Sequence, residues 1–210
     1  MERLTLGFDT SAAHCAAVLL SGGSVLARAE EAMTRGQAER LLPMLEEVLA
    51  EGGARWRDLE VIGVGTGPGN FTGIRVAVAA ARGLALSLRR PAEGVSLTEA
   101  HAAGRDVIAC LPAPRGAVVL GRGAALHRLD AEEIDAPERW PAGWDAPLAG
   151  PAAAGLAAAT GRAVAAPADW LVELGRIAAR RAAPGRPRPV PLYLRPADAA
   201  PPADAPPAIL

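Results

Sequence analysis

The chain has 210 residues, of which 22 are basic and 23 acidic, so its formal net charge is -1. Every basic residue is arginine, which excludes P-loop and Schiff-base chemistry because both need a lysine. The balanced charge argues against tight nucleic-acid binding by the chain alone, since that needs a surplus of cations. Half of the residues are apolar, enough for one large domain or two smaller lobes.

The cysteines and the apolar segments indicate the cellular compartment. Cys15 and Cys110 are far apart and lack C-x-x-C spacing, so we expect neither a disulfide framework nor a thiolate zinc site. Asp9 interrupts the first apolar stretch, which therefore lacks the core of a secretory signal. Arg75 and Arg82 interrupt the most apolar segment, which is also short for a membrane span. We expect a cytoplasmic protein without a membrane segment.

The first fifty residues predict three strands followed by a helix. Alternating and apolar runs place the strands at residues 3–9, 15–20 and 25–31. A Gly-Gly turn joins the last two strands into an antiparallel hairpin. Residues 34–37 match a capping box and predict the start of a helix, which Gly52 and Gly53 end.

The whole chain divides into two lobes and a tail. We place an N-terminal lobe at residues 1–104, a smaller C-terminal lobe at 105–196 and a disordered, proline-rich tail at 197–210. Residues 137–167 receive no clear assignment. The other predicted elements are a strand at 61–65, a helix capped by Asn70 and ending near Leu88, a strand end and short helix at 95–103, strands near 107–109 and 117–120, and a helix from Asp169 to about Arg181.

Two loops carry candidate chemistry. The glycine-rich loop from Gly65 to Gly73 leads into a helix, whose free N–H groups can bind phosphate, although a tight turn alone can need the same glycines. Asp9, Thr10 and Ser11 end the first strand, where they can hold a magnesium-bound phosphate or simply bond nearby backbone. Together the loops predict an actin-like or sugar-kinase-like nucleotide cleft. Its predicted phosphate-facing residues are Asp9, Thr10, Ser11, Gly67 and Gly69.

Four motifs resemble the TsaB family, also called YeaZ, which is similar to the larger TsaD. They are Gly7-Phe-Asp-Thr-Ser11, Gln37-Ala-Glu-Arg-Leu-Leu-Pro43, Gly65-Thr-Gly-Pro-Gly-Asn-Phe-Thr-Gly-Ile-Arg75 and Leu192-Tyr-Leu-Arg195. The match is strong over residues 3–103 and weak afterwards. The resemblance implies an α/β, actin-like (ASKHA) fold of two lobes, built on ribonuclease-H-like units with mixed sheets.

The resemblance also implies a role in forming N6-threonylcarbamoyladenosine at position 37 of tRNAs that read codons beginning with A. In this family pair the TsaD-type subunit carries the metal, and the TsaB-type subunit binds and activates it. A paired-histidine metal motif needs two imidazoles one helical turn apart, whereas His14, His101 and His127 are widely separated. We therefore expect a non-catalytic subunit with no catalytic residue and no metal ligand.

The same resemblance implies the partners. The two long helices of the N-terminal lobe are expected to bind the TsaD-type subunit, and to form a homodimer in its absence. A TsaE-type ATPase is expected to join through the complex, and tRNA is expected to contact this chain only indirectly. ATP or ADP with magnesium is expected at or near the partner interface, without tight binding. The predicted interface residues are Leu41, Leu42, Leu45, Leu49, Ile74, Val78 and Ala81.

One alternative is a small actin-like ATPase or phosphotransfer enzyme that uses Asp9 and residues 67–69. Such an enzyme hydrolyses ATP without a partner subunit. A metalloprotease is disfavoured, because the sequence has no close histidine pair and no His-Glu-x-x-His. The chain departs from the family at the start of the second lobe, where Leu111-Pro-Ala-Pro-Arg115 replaces the usual Asp-Ala-Arg-like stretch.

Overall fold

A computed structural model describes residues 3–183 and 185–194. The chain opens with a five-stranded sheet in the order β3-β2-β1-β4-β5. The first three strands are antiparallel neighbours, whereas β4 lies parallel to β1 and β5 lies parallel to β4. The strands are β1 (Leu4–Asp9), β2 (His14–Ser21), β3 (Ser24–Ala32), β4 (Val61–Gly65) and β5 (Ala92–Val95).

Helices cover both faces of this sheet. Side chains alternate along a strand, so successive residues of β1 and β2 face opposite sides. Leu6 and Phe8 pack beneath α1 and α2, whereas Val18 and Leu20 pack beneath α5. The helices are α1 (Gln37–Glu51), α2 (Phe71–Leu88), α3 (Leu97–Ala102), α4 (Ala153–Thr160) and α5 (Trp170–Arg181).

The second sheet has four strands in the order β8-β7-β6-β9. Its first three strands are antiparallel neighbours, and β9 lies parallel to β6. This arrangement repeats the order and directions of β3-β2-β1-β4 in the first sheet. The strands are β6 (Ile108–Pro112), β7 (Val118–Arg122), β8 (Ala125–Leu129) and β9 (Leu148–Ala149).

Helix α5 returns from the second lobe to the first sheet. A Cβ on Gly63 would lie 2.8 Å from the Cβ of Ala178, and one on Gly7 would lie 3.3 Å from the Cα of Gly175. Glycine therefore lets the helix and the strands approach closely. The change of sheet falls near the predicted boundary at residue 105, but α5, which was placed in the second lobe, packs on the first sheet.

The helix caps confirm two predictions and correct one. Asn70 Oδ1 accepts a hydrogen bond from the Gly73 N–H at 3.0 Å, and Asp169 Oδ1 accepts one from Val172 at 3.3 Å. The predicted capping box at residues 34–37 is wrong. The residue before α1 is Gly36, whose φ of 86° is in the left-handed region and which has no side chain to cap the helix.

Other predictions fall short or lie outside the described residues. Strands β8 and β9 and helix α4 received no prediction, whereas the remaining strands and helices lie where the sequence placed them. The tail at 197–210 and Arg195 of the last motif lie outside the described residues.

Among the described helices, α2 is long and apolar enough to cross a membrane, with a mean hydropathy of 1.4. Length and composition alone support this result, and a packed helix of a globular protein can satisfy the same criteria.

Candidate functional site

The two predicted phosphate loops lie against each other at the edge of the first sheet. Because β1 and β4 are parallel neighbours, they end at the same edge of the sheet, with Asp9 and Gly65 as their last residues. Thr10 Oγ1 donates a hydrogen bond to the Gly73 carbonyl oxygen at 2.7 Å. The Asn70 N–H donates to the Ser11 carbonyl oxygen at 2.5 Å. The structure thus brings the predicted residues together, but through direct contacts between the loops.

Asp9 is fully buried at the centre of this contact. Its Oδ1 accepts hydrogen bonds from the Ser11 N–H at 2.8 Å and the Ser11 hydroxyl at 2.9 Å. His14 Nε2 lies 2.8 Å from the same oxygen. Asp9 Oδ2 has no hydrogen-bond partner among the described residues. It faces Gly65, where any Cβ would overlap it.

This geometry favours the tight-turn interpretation of the glycine loop. A Cβ on Gly69 would overlap the Ser11 carbonyl oxygen, and one on Gly73 would overlap the Thr10 carbonyl oxygen. The side chains of Asp9, Thr10 and Ser11 bond within the protein, and the Gly67 carbonyl oxygen accepts a hydrogen bond from the Leu97 N–H at 2.8 Å. The contact between the loops therefore does not present these side chains to a phosphate. Within residues 3–183 and 185–194, no three His, Cys, Asp or Glu side chains are grouped to hold a metal ion.

Sequence reasoning missed a stack of rings beside Asp9. His14, the first residue of β2, stacks on Trp170 with ring centroids 5.0 Å apart and an interplanar angle of 22°. His101 of α3 stacks on the same indole at 5.8 Å and 29°. The stack connects β2, α3 and α5. The spacing of the histidines in the sequence bears on a paired metal motif and carries no signal for this arrangement.

Burial lowers the pKa of His101 to about 4. The Asp9 carboxylate opposes this shift, and His14 adds to it. A buried imidazole without a partner for its charge favours the neutral form. His101 is therefore neutral in the folded chain at pH 7.

We expect acid to destabilise the fold through His101. The unfolded chain takes up a proton near pH 6.5 and the folded chain only near pH 4, so stability falls as the pH drops between these values, by at most about 1.4 kcal/mol per pH unit. His101→Phe keeps an aromatic ring on Trp170 and should reduce this slope. Urea unfolding between pH 7.5 and 4.5 measures it, with His127→Phe on β8 as control. Equal slopes in wild type and His101→Phe would contradict the prediction.

The predicted interface residues lie mostly inside the chain. Leu42 is 48% exposed, whereas Val78 is 3% exposed. Helical periodicity explains the error, because the apolar stripe that marks a helix is usually the stripe that faces its own sheet. The structure corrects this part of the prediction. The buried residues are Leu41, Leu45, Leu49, Ile74, Val78 and Ala81, all packed in the core beneath α1 and α2.

The outer surface of these two helices consists of small, apolar and a few charged residues. We call it the α1–α2 face. Leu86 is 76% exposed, and a Cβ on Gly83 would meet no atom within 4 Å. The exposed residues of this face are Ala38, Leu42, Pro43, Glu46, Phe71, Thr72, Arg75, Ala79, Arg82, Gly83 and Leu86.

The segment after α5 ends beside the N-terminus of α2. The Leu192 N–H donates to the Thr66 carbonyl oxygen at 2.9 Å. Arg75 Nε donates to the Tyr193 hydroxyl at 2.9 Å, and the Arg75 guanidinium lies 3.8 Å from the centroid of the Phe71 ring. This contact joins two of the motifs singled out in the sequence, Gly65–Arg75 and the late Tyr-Leu element.

The repeated strand order, the helices on both faces of the first sheet and the loop pair at its edge define an actin-like α/β protein. The ethanolamine utilization protein EutJ from Carboxydothermus hydrogenoformans shares this fold, with a TM-score of 0.52 at 13% identity over 85% of this chain and 89% of EutJ.

A family profile described as TsaD, tRNA N6-adenosine threonylcarbamoyltransferase, matches residues 26–142. The chain belongs to this family, and the predicted TsaB (YeaZ) type is confirmed. TsaB, a tRNA threonylcarbamoyladenosine biosynthesis protein of Escherichia coli (strain K12), is 36% identical over 120 residues, covering 54% of this chain and 52% of TsaB. YeaZ from Pseudomonas aeruginosa has a TM-score of 0.67 at 28% identity, covering 91% of this chain and all of that one.

The chain spans about half the length of the curated relatives it matches. Both of these relatives are named as tRNA threonylcarbamoyladenosine biosynthesis proteins.

Proposed function

We propose that this chain is a non-catalytic activating subunit of the complex that forms N6-threonylcarbamoyladenosine at position 37 of tRNA. It acts by binding a TsaD-type catalytic subunit through the α1–α2 face. The protein is cytoplasmic in this proposal, and a TsaE-type ATPase joins through the assembled complex.

The observation that carries the proposal is the exposed apolar surface of α1 and α2. An isolated exposed leucine is common on protein surfaces, whereas a continuous apolar patch marks an interaction site. Leu42 and Leu86 are large and exposed, and Ala79 and Gly83 between charged neighbours let a second backbone come close. This combination suits helix-to-helix contact with another chain.

The geometry of the loop pair weighs against the alternative of an ATPase. That alternative requires Asp9 and residues 67–69 to contact phosphate. Asp9 Oδ1 is already bonded to Ser11 and His14, and Oδ2 is enclosed beside Gly65. ATP or ADP with magnesium near the partner interface stays a prediction, and no step of the proposed role depends on it.

Size-exclusion chromatography with light scattering tests the proposal. The full chain should form a homodimer alone, and should exchange into a heteromer when mixed with the TsaD-type subunit of the same organism. Threonylcarbamoyladenosine formation by that subunit should then rise. A chain that stays monomeric and does not bind the TsaD-type subunit would contradict the proposal. ATP hydrolysis by the isolated chain would favour the alternative.

A further inference from the structure

The first sheet has a second feature at the edge opposite the loop pair. An open pocket of about 610 Å³ lies where β1, β4 and β5 begin. Strands of five or six residues at about 3.3 Å per residue place it roughly 15–20 Å from Asp9. The end of α2 and the segment after α5 form its walls. Its volume is in the range of ligand-binding clefts.

The pocket is strongly basic although the chain as a whole is slightly acidic. Six arginines and two glutamates line it, which leaves a formal charge of +4. Helices α2 and α5 both end here, and each contributes about half a negative charge from its carbonyl groups. The two helix ends together offset about one of the four positive charges, so a net charge of about +3 remains in the pocket. The lining arginines are Arg3, Arg82, Arg89, Arg90, Arg186 and Arg188.

Two of these arginines have partners within the chain and four do not; of these four, Arg82 also lies on the α1–α2 face, which leaves three for phosphate when that face is covered. Arg186 Nε donates to both oxygens of the buried Glu93, at 2.9 and 3.0 Å. Arg3 donates to the carbonyl oxygens of Ala179 and Ala182, so it caps α5. The other four side chains are exposed and have no hydrogen-bond or ion-pair partner among the described residues. They are Arg82, Arg89, Arg90 and Arg188.

We propose that this pocket contacts the phosphate backbone of tRNA in the assembled complex. The inference rests on the proposed function, which makes tRNA the substrate, and it replaces the expectation of purely indirect contact. Unpaired guanidinium groups bind phosphate oxygens through two parallel hydrogen bonds. Val61 and Pro189 add apolar lining, which suits a ribose or a base edge. Sequence alone scatters these arginines over more than one hundred residues, and the fold brings them together.

The test compares two double variants of equal charge. Arg90→Gln with Arg188→Gln removes two pocket cations and leaves α2 intact. Arg115→Gln with Arg139→Gln removes two exposed cations from the second lobe. Each is measured as the full chain in complex with its TsaD-type subunit, by fluorescence anisotropy with labelled tRNA that carries unmodified A37, from 50 to 300 mM salt. Light scattering first verifies that each complex has assembled.

The pocket variant should bind tRNA about 25- to 60-fold more weakly at 0.1 M salt. Affinity varies as the salt concentration to the power of about -0.7 to -0.9 for each phosphate contact, so each lost contact costs about 5- to 8-fold at 0.1 M. The salt slope of this variant should fall by about 2, and the control should match wild type. Unchanged affinity and slope in an assembled complex would overturn the inference while leaving the proposed function intact. Failure of the pocket variant alone to assemble would also overturn it, because the pocket would then bind an acidic protein segment.

Discussion

Ala79→Arg is expected to disrupt assembly while leaving the chain folded. Ala79 is exposed on the α1–α2 face, so an arginine there can extend into solvent in the free chain but enters any helix packed on that face. A long charged side chain in the centre of an interface should weaken association by at least about 2 kcal/mol, or roughly 30-fold in Kd. Light scattering and titration with the TsaD-type subunit measure this loss.

The neighbouring position supplies the matched control. Val78 is 3% exposed and packs in the core, so Val78→Arg buries a charge without a partner and should destabilise the fold by about 3–5 kcal/mol. Ala79→Arg loses only the stability that dimer formation adds, so its melting temperature should equal that of wild type at protein concentrations low enough for both to be monomeric. If Ala79→Arg still forms the homodimer and the heteromer with unchanged affinity, the α1–α2 face is not the interface.

Gly73→Ala is expected to be the most damaging small substitution in α2. The added methyl group would overlap the Thr10 carbonyl oxygen, so either α2 or the turn after β1 must move. That movement breaks the hydrogen bond from Thr10 Oγ1 to the Gly73 carbonyl oxygen. Forced displacement of this kind costs about 2–4 kcal/mol, even though alanine has the higher helix propensity.

Gly83→Ala in the same helix gives the opposite result. A Cβ at that position meets no atom within 4 Å, so the alanine gains its helix propensity without a clash and should stabilise the chain by about 0.5–1 kcal/mol. Urea unfolding of both variants, at a protein concentration low enough to keep the chain monomeric, measures the difference. Similar stability of the two variants would show that the loops can separate easily, which would revive the phosphate interpretation of the glycine loop.

Local patterns predict most of the first sheet and its helices. The Gly-Gly turn between β2 and β3 fixes a hairpin, and the Asn70 and Asp169 caps fix the starts of α2 and α5. These features depend on residues a few positions apart. The capping box predicted before α1 is wrong because Gly36 adopts a backbone conformation that a short motif cannot reveal. The short β9 depends on pairing with β6, and its two residues carry no periodic signal.

The candidate sites show a different limit of the sequence. The glycines in the loop after β4 indicate that another group approaches the backbone closely. They do not indicate whether that group is a ligand or the turn after β1. Helical periodicity predicts the apolar stripes of α1 and α2. It does not distinguish the stripe that packs on the sheet from the apolar residues of the exposed α1–α2 face. The basic pocket depends on how α2, β5 and the segment after α5 converge, which only the fold determines.

The return of α5 to the first sheet has a consequence for synthesis on the ribosome. One face of that sheet, including Val18 and Leu20, is covered by residues 170–181. A nascent chain that ends near residue 104 therefore exposes this apolar face, and cannot bury it until α5 has left the exit tunnel. The amino-terminal unit matures last, after the second sheet has had time to form, and a fragment cut at the apparent lobe boundary lacks one of its layers.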